Sequence, residues 1–231
     1  MFKTITLKPT KEKSILRRHP WVFSGAIKAI ENGISNGDIV EIKSNKGRFL
    51  GYGHYNEGII AIRIFELNQL TIDNAYWEGK IKKAISQRLH NLHINGKNNI
   101  YRLVHAEGDE MPGCIIDRYD NVIVMQFHSV GMWKLKEIFS KTIAKQLPEI
   151  DVIYDKSENT LPDILKEEFQ IQNSYLLKKI DTSDVIAAEY GNQFKINWVT
   201  GQKTGFFIDQ REDRKLLGKY SQDKVILNTF C

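Results

Sequence analysis

The stretch "DIVEIKSNKGRFLGYGHYNEGIIAIRIF", residues 38–65, decides the fold expected for the amino-terminal part of the chain. It contains three short runs, residues 38–43, 48–55 and 59–65, with the period-2 alternation of apolar side chains that is typical of strands. Asn- and Gly-containing turns such as "SNKG" separate the runs. The stretch therefore predicts a small β-barrel or sheet.

The next segment outward, residues 73–92, has the spacing of a helix. Its apolar residues recur with the helical period, while Lys and Gln occupy the other face. These apolar residues are Tyr76, Trp77, Ile81, Ala84, Ile85 and Leu89. Asp73 or Asn74 is the expected N-cap, because either side chain can accept a hydrogen bond from the first turn. We expect this helix to link two domains.

Residues 101–155 predict a mixed α/β module. The turn sequences "DEMPG" and "DRYDN" divide residues 101–129 into three strands. A helix is expected at about 131–147, ended by Pro148, and the apolar run at 151–155 is expected to be a central strand.

The last part of the chain predicts a third unit that begins near residue 185. "VIAAEYG" and "QFKINWV" are expected to form a hairpin joined by Gly191-Asn192. A helix follows, with Asp209 as N-cap and Glu212 at the capping-box position. The apolar run "VILNTF", residues 225–230, predicts a buried strand of the kind that opens a parallel αβ sheet.

Bulk composition limits the class of protein. With 231 residues and 42% hydrophobic content, the chain is long enough to bury a core. No run approaches the roughly 20 apolar residues of a membrane span, and the amino terminus lacks the apolar block of a secretory signal. Cys114 and Cys231 are far apart and outside any CxxC motif, so neither a disulfide nor a zinc knuckle is expected. These features favour a cytoplasmic protein without a membrane partner.

Positive charge is concentrated at the amino end. The net charge is +5, and residues 1–69 hold eleven Lys or Arg against six Asp or Glu, which accounts for the whole excess. Residues 1–28 hold seven of these cations and a single acid, Glu12. Such a concentration is the electrostatic signature of a surface that binds RNA phosphates.

The segment "RRHPWVFSGAI", residues 17–27, lies at the centre of this charge. Arg17 and Arg18 are permanently charged donors suited to RNA phosphates. Trp21 and Phe23 either stack on a base or anchor the turn in the barrel core, and packing is the more common outcome for such a run. The other candidates for RNA contact on this surface are Lys11, Lys13, His19 and Ser24.

Three stretches of the chain resemble one family, in the family's own order. They are "KSILRRHPWVFSGAI" at 13–27, "YRLVHAEGDEMPGCIIDRYDN" at 101–121 and "KTGFFIDQREDR" at 203–214. Together they resemble the PUA-domain-containing class I SAM-dependent rRNA methyltransferases, the group that includes the large-subunit rRNA cytosine-C5 methyltransferases. The resemblance covers essentially the whole chain, and it implies ribosomal RNA as partner and S-adenosyl-L-methionine (SAM) as cofactor.

The resemblance also implies an architecture of the α+β class with a β-barrel. We expect a PUA-like RNA-binding barrel at residues 1–70, a linker helix and central mixed α/β domain at 71–184, and the start of a Rossmann-like methyltransferase domain at 185–231. The family's cofactor loop and cysteine nucleophile follow the position that corresponds to residue 231, and methyl transfer to cytosine C5 needs that thiolate. We therefore expect methylation of 23S rRNA in the complete protein, and RNA docking without catalysis in this chain.

The resemblance places "KTGFFIDQR" beside the methyl-donor pocket. Phe206 and Phe207 are expected to flank the cofactor, and Asp209, Gln210 and Arg211 to contact its amino-acid end, with Arg211 best suited to a carboxylate. Some of these residues also have a structural interpretation. Asp209 is the expected helix N-cap, and one of the two phenylalanines is expected to be buried.

Other candidate residues favour structural roles, and no catalytic residue is assigned. Cys231 corresponds to the family's cofactor loop rather than to its nucleophile, and Cys114 is expected to be a buried thiol. His90 and His93 have metal-ligand spacing but no third ligand nearby, so no metal site is expected. The acidic residues within 105–113 are expected to form a solvated hairpin loop.

Two alternatives to the methyltransferase interpretation stay open. One is a stand-alone RNA-binding adaptor that keeps the docking domains and lacks catalysis. The other is a protein-interaction scaffold, whose RNA affinity would be absent or insensitive to salt. A homodimer is conceivable through the exposed edge of the strand expected at 225–230.

Overall fold

The computed structural model describes residues 2–91, 94 and 96–227, and its amino-terminal part is a six-stranded sheet. The strands are β1 (Lys3–Leu7), β2 (Trp21–Phe23), β3 (Ile27–Ile30), β4 (Ile39–Lys43), β5 (Phe49–Tyr55) and β6 (Ile60–Glu66). Their spatial order is β2-β6-β5-β4-β1-β3, with β1 and β4 parallel and the other neighbours antiparallel. The strands predicted within residues 38–65 are confirmed as β4, β5 and β6.

The amino-terminal sheet curls around its own core. Its edge strands, β2 and β3, are joined by a single 3-10 turn, Ser24–Ala26. The side chains enclosed by the sheet are fully buried and apolar, and they include Ile5, Leu7, Val40, Ile42 and Ile62. The predicted barrel is thus a curled sheet. Within the described residues no ladder joins β2 to β3, because the 3-10 turn takes the place of that pairing.

Helix α2 (Asn74–Asn91) connects the curled sheet to the central unit. Asp73 is its N-cap, since Oδ1 of Asp73 accepts a hydrogen bond from Tyr76 N at 2.9 Å. Four of the predicted apolar residues are buried, namely Trp77, Ile81, Ala84 and Ile85. The prediction is wrong for Leu89, which is 48% exposed because it lies in the last turn of the helix, where the side chains face solvent.

The central unit is a five-stranded sheet. Its strands are β7 (Ile100–His105), β8 (Cys114–Tyr119), β9 (Val122–Phe127), β10 (Val152–Asp155) and β11 (Ser174–Lys178). The order is β11-β10-β9-β8-β7, with β9 and β10 parallel and the other neighbours antiparallel. The strands predicted at 101–129 and 151–155 are confirmed. Strand β11 and the short helix α5 (Asp163–Phe169) are additional to the sequence prediction.

The single helix predicted at 131–147 is wrong, because the chain forms two helices there. Helix α3 (Val130–Trp133) begins at the N-cap Ser129, and α4 (Lys136–Gln146) follows. Between them the backbone N–H of Leu135 donates to a carbonyl three residues back, at 3.1 Å, which tightens the turn. The apolar spacing continues across this break, so the sequence pattern does not reveal it.

Alternate side chains of the central sheet belong to two different cores. On β9, Ile123 and Met125 contribute to a core shared with α2 and α4. Val122 and Val124 contribute to a second core on the opposite face, which is covered by the carboxyl-terminal part of the chain. The central sheet therefore has helices on one face and the third matched stretch on the other.

A hairpin of β12 (Asp184–Glu189) and β13 (Asn192–Asn197) covers this second face. Its turn is centred on Tyr190 and Gly191, whose φ angles of 51° and 84° are the positive values that a type I′ turn requires. The predicted hairpin is confirmed, but its turn lies one residue earlier than Gly191-Asn192.

Helix α6 (Arg211–Tyr220) begins without a side-chain cap. The prediction that Asp209 is its N-cap, with Glu212 completing a capping box, is therefore wrong. Asp209 lies in a preceding 3-10 turn, Ile208–Gln210, and its carboxylate pairs with Lys203 Nζ at 2.9 Å. The Asp209 carboxylate therefore binds the Lys203 ammonium instead of the backbone N–H that a capping side chain would bind.

The buried strand predicted at 225–230 is wrong as far as the chain is described. Residues 225–227 belong to no strand, and Val225 is fully exposed. A strand needs a hydrogen-bonded neighbour, and none of the described strands pairs with these residues. Residues 228–230 and Cys231 lie outside the described residues.

Two single features complete the comparison with the sequence. Cys114 is fully buried at the start of β8, and burial raises the pKa of its thiol, in agreement with its expected place in the core. Within the described ranges, no helix combines the length and the apolar character needed to cross a membrane.

The curled sheet and the central unit share a packed joint. The ring of His54 on β5 stacks on Trp77 of α2, with the ring centroids 5.7 Å apart. Gly131 of α3 approaches so closely that a Cβ there would lie 2.2 Å from Cγ of His54. Burial, followed by the charge of Lys134, lowers the pKa of His54 to about 3. A neutral imidazole therefore fills the joint at pH 7.

Candidate nucleic-acid interface

The arginines predicted to bind RNA lie on the turn between α1 (Lys13–Leu16) and β2. In this turn Arg18 has a φ of 62°, and its backbone N–H donates to Ile15 O at 2.7 Å. Arg17 and Arg18 are both exposed, and no ion pair engages either of them in the part of the chain that the structure describes. Both guanidinium groups are therefore available to an external anion.

The structure brings only some of the other predicted RNA contacts to the same place. Lys11 and Lys13 are exposed beside the arginines. Arg18 and His19 line a cleft of about 390 Å³ between the curled sheet and the central unit. Ser24 is exposed but lines a separate hollow. The candidate surface therefore consists of the lysines, the arginines and His19, with Ser24 apart from the cleft.

The two aromatic residues of this segment have different surroundings. Trp21 is partly buried, and its Nε1 donates to Glu107 Oε1 in the central unit at 2.9 Å. Phe23 is 46% exposed, so the expectation that it packs in the barrel core is wrong. Neighbouring side chains on a strand point to opposite faces, and Val22 is the buried residue of β2. Trp21 thus packs at the joint between the two units rather than in the barrel core.

The acidic turn at 105–110 belongs to the same joint. Asp109 forms a two-point ion pair with Arg88 of α2, with both N···O distances at 2.6 Å. Glu110 pairs with Lys80 of the same helix, and the third carboxylate of the turn accepts the indole hydrogen bond described above. The turn connects β7 to β8, so the expected hairpin loop is confirmed, and Glu110 is exposed. The expectation that the loop is solvated is wrong for Asp109, which is largely buried, and all three carboxylates have partners that hold the turn between the curled sheet and α2.

A row of polar side chains crosses the second face of the central sheet, beyond its apolar part. Arg102 of β7 lies opposite Asp117 of β8. Lys156 follows β10 and lies beside Gln126 of β9, since its backbone N–H donates to Met125 O at 2.8 Å. This row contains no member of the two cores. The face of the central sheet that the hairpin covers is therefore apolar over most of its area and ends in this row of polar side chains.

Asp117 is the buried centre of this row. Arg102 Nε donates to its Oδ1 at 2.9 Å, and Thr204 Oγ1 donates to its Oδ2 at 2.6 Å. The hydroxyl of Tyr119 therefore donates to Thr204 Oγ1, at 2.7 Å. Burial and then the charge of Asp117 raise the pKa of Tyr119, so the hydroxyl keeps its proton. These hydrogen bonds attach the third matched stretch of sequence to the second.

The residues expected to contact the cofactor lie just before and at the start of α6. Phe206 packs on Phe194 at the edge of the second core, with ring centroids 4.9 Å apart, but it is only partly buried, so the expectation that one of the two phenylalanines is buried is wrong. Phe207 is partly buried, and Asp209 and Gln210 are exposed. The structure therefore brings these residues together on one short segment, with two polar side chains facing solvent.

Arg211 is engaged within the protein. Its Nε donates to Glu189 Oε2 at 3.1 Å, and its Nη2 donates to Ile100 O. Arg214 binds both oxygens of the same carboxylate, at 2.8 Å each. Arg211 thus anchors α6 to β12 and β7 in this arrangement. Its contact with a cofactor carboxylate stays a prediction.

Further basic residues lie between the turn that carries Arg18 and the polar row. Arg63 of β6 lies opposite Trp21 of β2 in the antiparallel β2–β6 ladder. His128 follows β9, and desolvation, followed by the charge of Arg63, lowers its pKa, while the carboxylate of Glu107 opposes the shift. Arg102 acts on His128 in the same direction as Arg63. The His128 ring is therefore neutral at pH 7. A band of basic residues therefore extends from the turn that carries Arg18 to the polar row.

Sequence reasoning did not single out this band or the polar row. The missed residues are Arg63, Arg102, Asp117, Gln126, His128 and Lys156. One signal was present in the sequence, because Gln126 and His128 continue the period-2 series of Val122 and Val124 on a strand that is otherwise apolar. Polar residues at positions expected to face a core are informative.

The histidine pair considered for a metal is only partly described. The ring of His90 makes a hydrogen bond to Ser86 O at 2.7 Å, and His93 lies outside the described residues. Across the described ranges, no group of three or more His, Cys, Asp or Glu side chains is placed to hold a metal ion.

Comparison with known proteins bears directly on the resemblance. Residues 5–67 match the family of PUA-like domains. The chain is 36% identical, over its full length, to "Ribosomal RNA large subunit methyltransferase I" of Pseudoalteromonas atlantica, and it covers 58% of that protein. The chain is homologous to part of this methyltransferase. The protein of the same name from Shewanella frigidimarina is 36% identical over 98% of the chain, which covers 57% of that relative.

Solved structures share the fold. A proposed SAM-dependent methyltransferase from Streptococcus mutans superimposes with a TM-score of 0.77 and 18% identity, over 96% of this chain and 55% of that one. A second structure, of a proposed methyltransferase complexed with SAH, gives a TM-score of 0.76 over 94% of this chain and 53% of that one. The resemblance to rRNA large subunit methyltransferases is thus confirmed, and the chain spans less than two thirds of the relatives' length.

Proposed function

We propose that this chain is the RNA-docking part of a SAM-dependent methyltransferase of large-subunit ribosomal RNA, with cytosine C5 of 23S rRNA as the methylated atom. Its similarity to proteins named for this activity extends over the whole chain. The observation that carries the docking role is the exposed and unpaired state of Arg17 and Arg18 within the described structure, on a turn beside an open cleft.

The docking surface holds RNA by phosphate and shape contacts. Arg17 and Arg18 present fixed positive charge, and contacts of this kind supply affinity and orientation rather than base specificity. Lys11 and Lys13 extend the positive surface along the same segment. Trp21 has its indole N–H bound to Glu107, so it positions the turn relative to the central unit.

The segment at 203–211 forms one wall of the methyl-donor site in this proposal. SAM supplies an electrophilic methyl group when bound. The exposed amide of Gln210 fits the polar amino-acid end of such a ligand, and the partly buried ring of Phe207 fits its apolar part. The carboxylate of Asp209 is exposed beside them and is paired with Lys203. Arg211 fits less well, because Glu189 already pairs with its guanidinium.

The chain by itself docks RNA and transfers no methyl group in this proposal. Methylation at cytosine C5 requires a thiolate nucleophile. Among the described residues the thiol is that of Cys114, which is fully buried and has a raised pKa, so it is neither accessible nor ionised. The role of this chain is therefore to place the RNA for chemistry performed by the rest of the enzyme.

Titration of the chain with a 23S rRNA transcript at two or more salt concentrations tests the docking role. We expect Arg17→Gln/Arg18→Gln to weaken binding and to reduce the slope of log K against log salt by about two, since each lost phosphate contact reduces the slope by about one. Lys141→Gln/Lys145→Gln on α4 removes the same charge from exposed positions outside this surface, where no ion pair forms with any residue that the structure describes, and is the matched control.

The outcome separates the candidate functions. An unchanged slope in the arginine variant, or an equal loss in the control, would contradict docking at this turn. Wild-type RNA affinity that is absent or independent of salt would favour the protein-interaction scaffold instead.

A further inference from the structure

A second cleft, of about 480 Å³, opens at the polar end of the central sheet. Its lining includes Gln126 and His128 from β9 and the segment after it, Lys156 after β10, and Gln202 and Lys203 from the loop of the third matched stretch. The volume is within the roughly 300–1,000 Å³ typical of small-ligand sites. The third matched stretch thus reaches its rim at Lys203, whose carbonyl oxygen accepts a hydrogen bond from Gln126 Nε2 at 3.1 Å.

The charge of this cleft has one sign. Its lining contains Lys156 and Lys203 but no carboxylate. The cleft beside Arg18 is different, because Glu66, Glu107 and Glu110 line it. The carboxylates of the first cleft offset part of the attraction that Arg18 exerts on a phosphate, and the lining of the second cleft has no such carboxylate.

Lys156 is the residue that gives the cleft its chemistry. It is partly buried, its Nζ donates to Gly201 O, and within the described residues no carboxylate forms an ion pair with it. Desolvation lowers the pKa of Lys156, with no acid to oppose the shift. Lys203 differs, since its ammonium is already paired with Asp209. The ammonium of Lys156 therefore carries a positive charge at the cleft that no described carboxylate neutralises.

The neutral part of the lining suits a nucleotide rather than a bare ion. The exposed amide of Gln202 can both donate to and accept from a base edge. Gln126 adds its amide oxygen on the same rim, because its Nε2 already donates to Lys203 O. Arg63 and Arg102 both act on His128, which lines this cleft, so the basic band reaches from β6 on the curled sheet to the second cleft.

We propose that this second cleft is a nucleotide subsite of the RNA interface, in which Lys156 binds a backbone phosphate and the amide-lined rim takes the attached nucleotide. The proposal rests on the proposed RNA-docking function and extends it. RNA contacts the chain at two places, the turn with Arg17 and Arg18 on the curled sheet and the cleft with Lys156 on the central unit.

Titration of the full chain with a 23S rRNA transcript, across a salt series, tests the subsite. We expect Lys156→Gln to weaken binding about tenfold and to reduce the salt slope by about one. Lys156→Arg keeps the positive charge and should retain most of the affinity. The control is Lys145→Gln, an exposed and unpaired lysine of α4, which packs against the opposite face of the central sheet. Thermal unfolding of each variant checks that the fold is intact.

The same series with Arg17→Gln/Arg18→Gln distinguishes failure of the subsite from failure of the docking function. Loss of affinity in the arginine variant but not in Lys156→Gln overturns the subsite and leaves the docking function in place. Loss in Lys156→Gln alone supports the subsite and overturns docking at the turn. A wild-type chain that does not bind the transcript overturns both.

Discussion

Glu189 is the residue on which the position of α6 depends. Its carboxylate is only 2% exposed and is bound by Arg211 and Arg214, whose side chains are 18% and 22% exposed. Removing one partner from a buried ion pair is costly because it leaves the other charges uncompensated. The hairpin and the segment with the candidate cofactor residues are therefore fixed to each other through one acid.

We expect Glu189→Gln to lower the free energy of unfolding by about 3 kcal/mol at pH 7, measured by urea denaturation. The matched control is Glu212→Gln, at a side chain that is 72% exposed, where a change within about 0.5 kcal/mol is expected. Equal effects of the two substitutions would show that burial of Glu189 does not matter.

The pH dependence of the same difference follows from the pKa of Glu189. Burial raises this pKa, but the hydrogen bonds from Arg214 and Arg211 prevail and hold it below the ordinary value of 4.5. For an acid with a lowered pKa, the stabilisation is fully present above the unfolded-state value and is lost as the pH falls through the folded-state value. The gap between wild type and Glu189→Gln should therefore shrink below pH 4.5. A gap that stays constant down to pH 3 would contradict this assignment.

At the scale of single elements, two aspartates beside helices differ in what they bind. Asp73 caps α2 through its hydrogen bond from Tyr76 N at 2.9 Å. Asp209 precedes α6 but binds Lys203, at an exposed position. A capping side chain contributes to helix stability, whereas an exposed ion pair contributes little.

Asp73→Ala should therefore destabilise the protein by about 1 kcal/mol, and Asp209→Ala by less than about 0.5 kcal/mol. Chemical denaturation of both variants under one set of conditions measures the contrast. A larger loss in Asp209→Ala would show that this residue caps α6 after all.

The elements that the sequence predicts correctly are those whose pattern is local. Strands β4 to β9 follow from alternation between recognisable turns, and α2 follows from its apolar spacing and its cap. Asp209 is mispredicted because the pattern of a capping box does not exclude a preceding 3-10 turn, nor an ion pair with Lys203. Strand β11 is missed because it lies at the edge of its sheet, where its side chains are only partly buried.

The candidate site is predictable only in part, for the same reason. Arg17 and Arg18 can be identified from the sequence because a cluster of cations at a turn does not stabilise the local structure, and therefore indicates an external anion. The place of Lys156 beside Gln126 depends on the parallel pairing of β9 with β10, which are separated in the chain by α3 and α4. No local pattern encodes that pairing, so the second cleft emerges only from the folded chain.

At the scale of the whole molecule, the joint between the curled sheet and the central unit is closely packed at Gly131 and His54. A Cβ at Gly131 would lie 2.2 Å from Cγ of His54, whereas a Cβ at Gly218 on α6 would meet nothing within 4 Å. Adding a methyl group to a filled joint forces side chains or backbone to shift. The same addition on an exposed helix improves helix propensity.

Gly131→Ala should destabilise the protein by about 1–3 kcal/mol, while Gly218→Ala should stabilise it by up to about 1 kcal/mol. Thermal unfolding should therefore shift in opposite directions for the two variants. A shift in the same direction would mean that the joint has room to adapt.

The acidic turn at 105–110 sets a distance as well as a fold. It is tied to the curled sheet through Trp21 and to α2 through Arg88, and these contacts help to set the separation of the two proposed RNA contacts. An RNA whose phosphates match that separation contacts both the turn with Arg17 and Arg18 and the cleft with Lys156. An RNA whose phosphates do not match it contacts only the turn. The chain would then recognise an RNA by the spacing of its phosphates, independently of its base sequence.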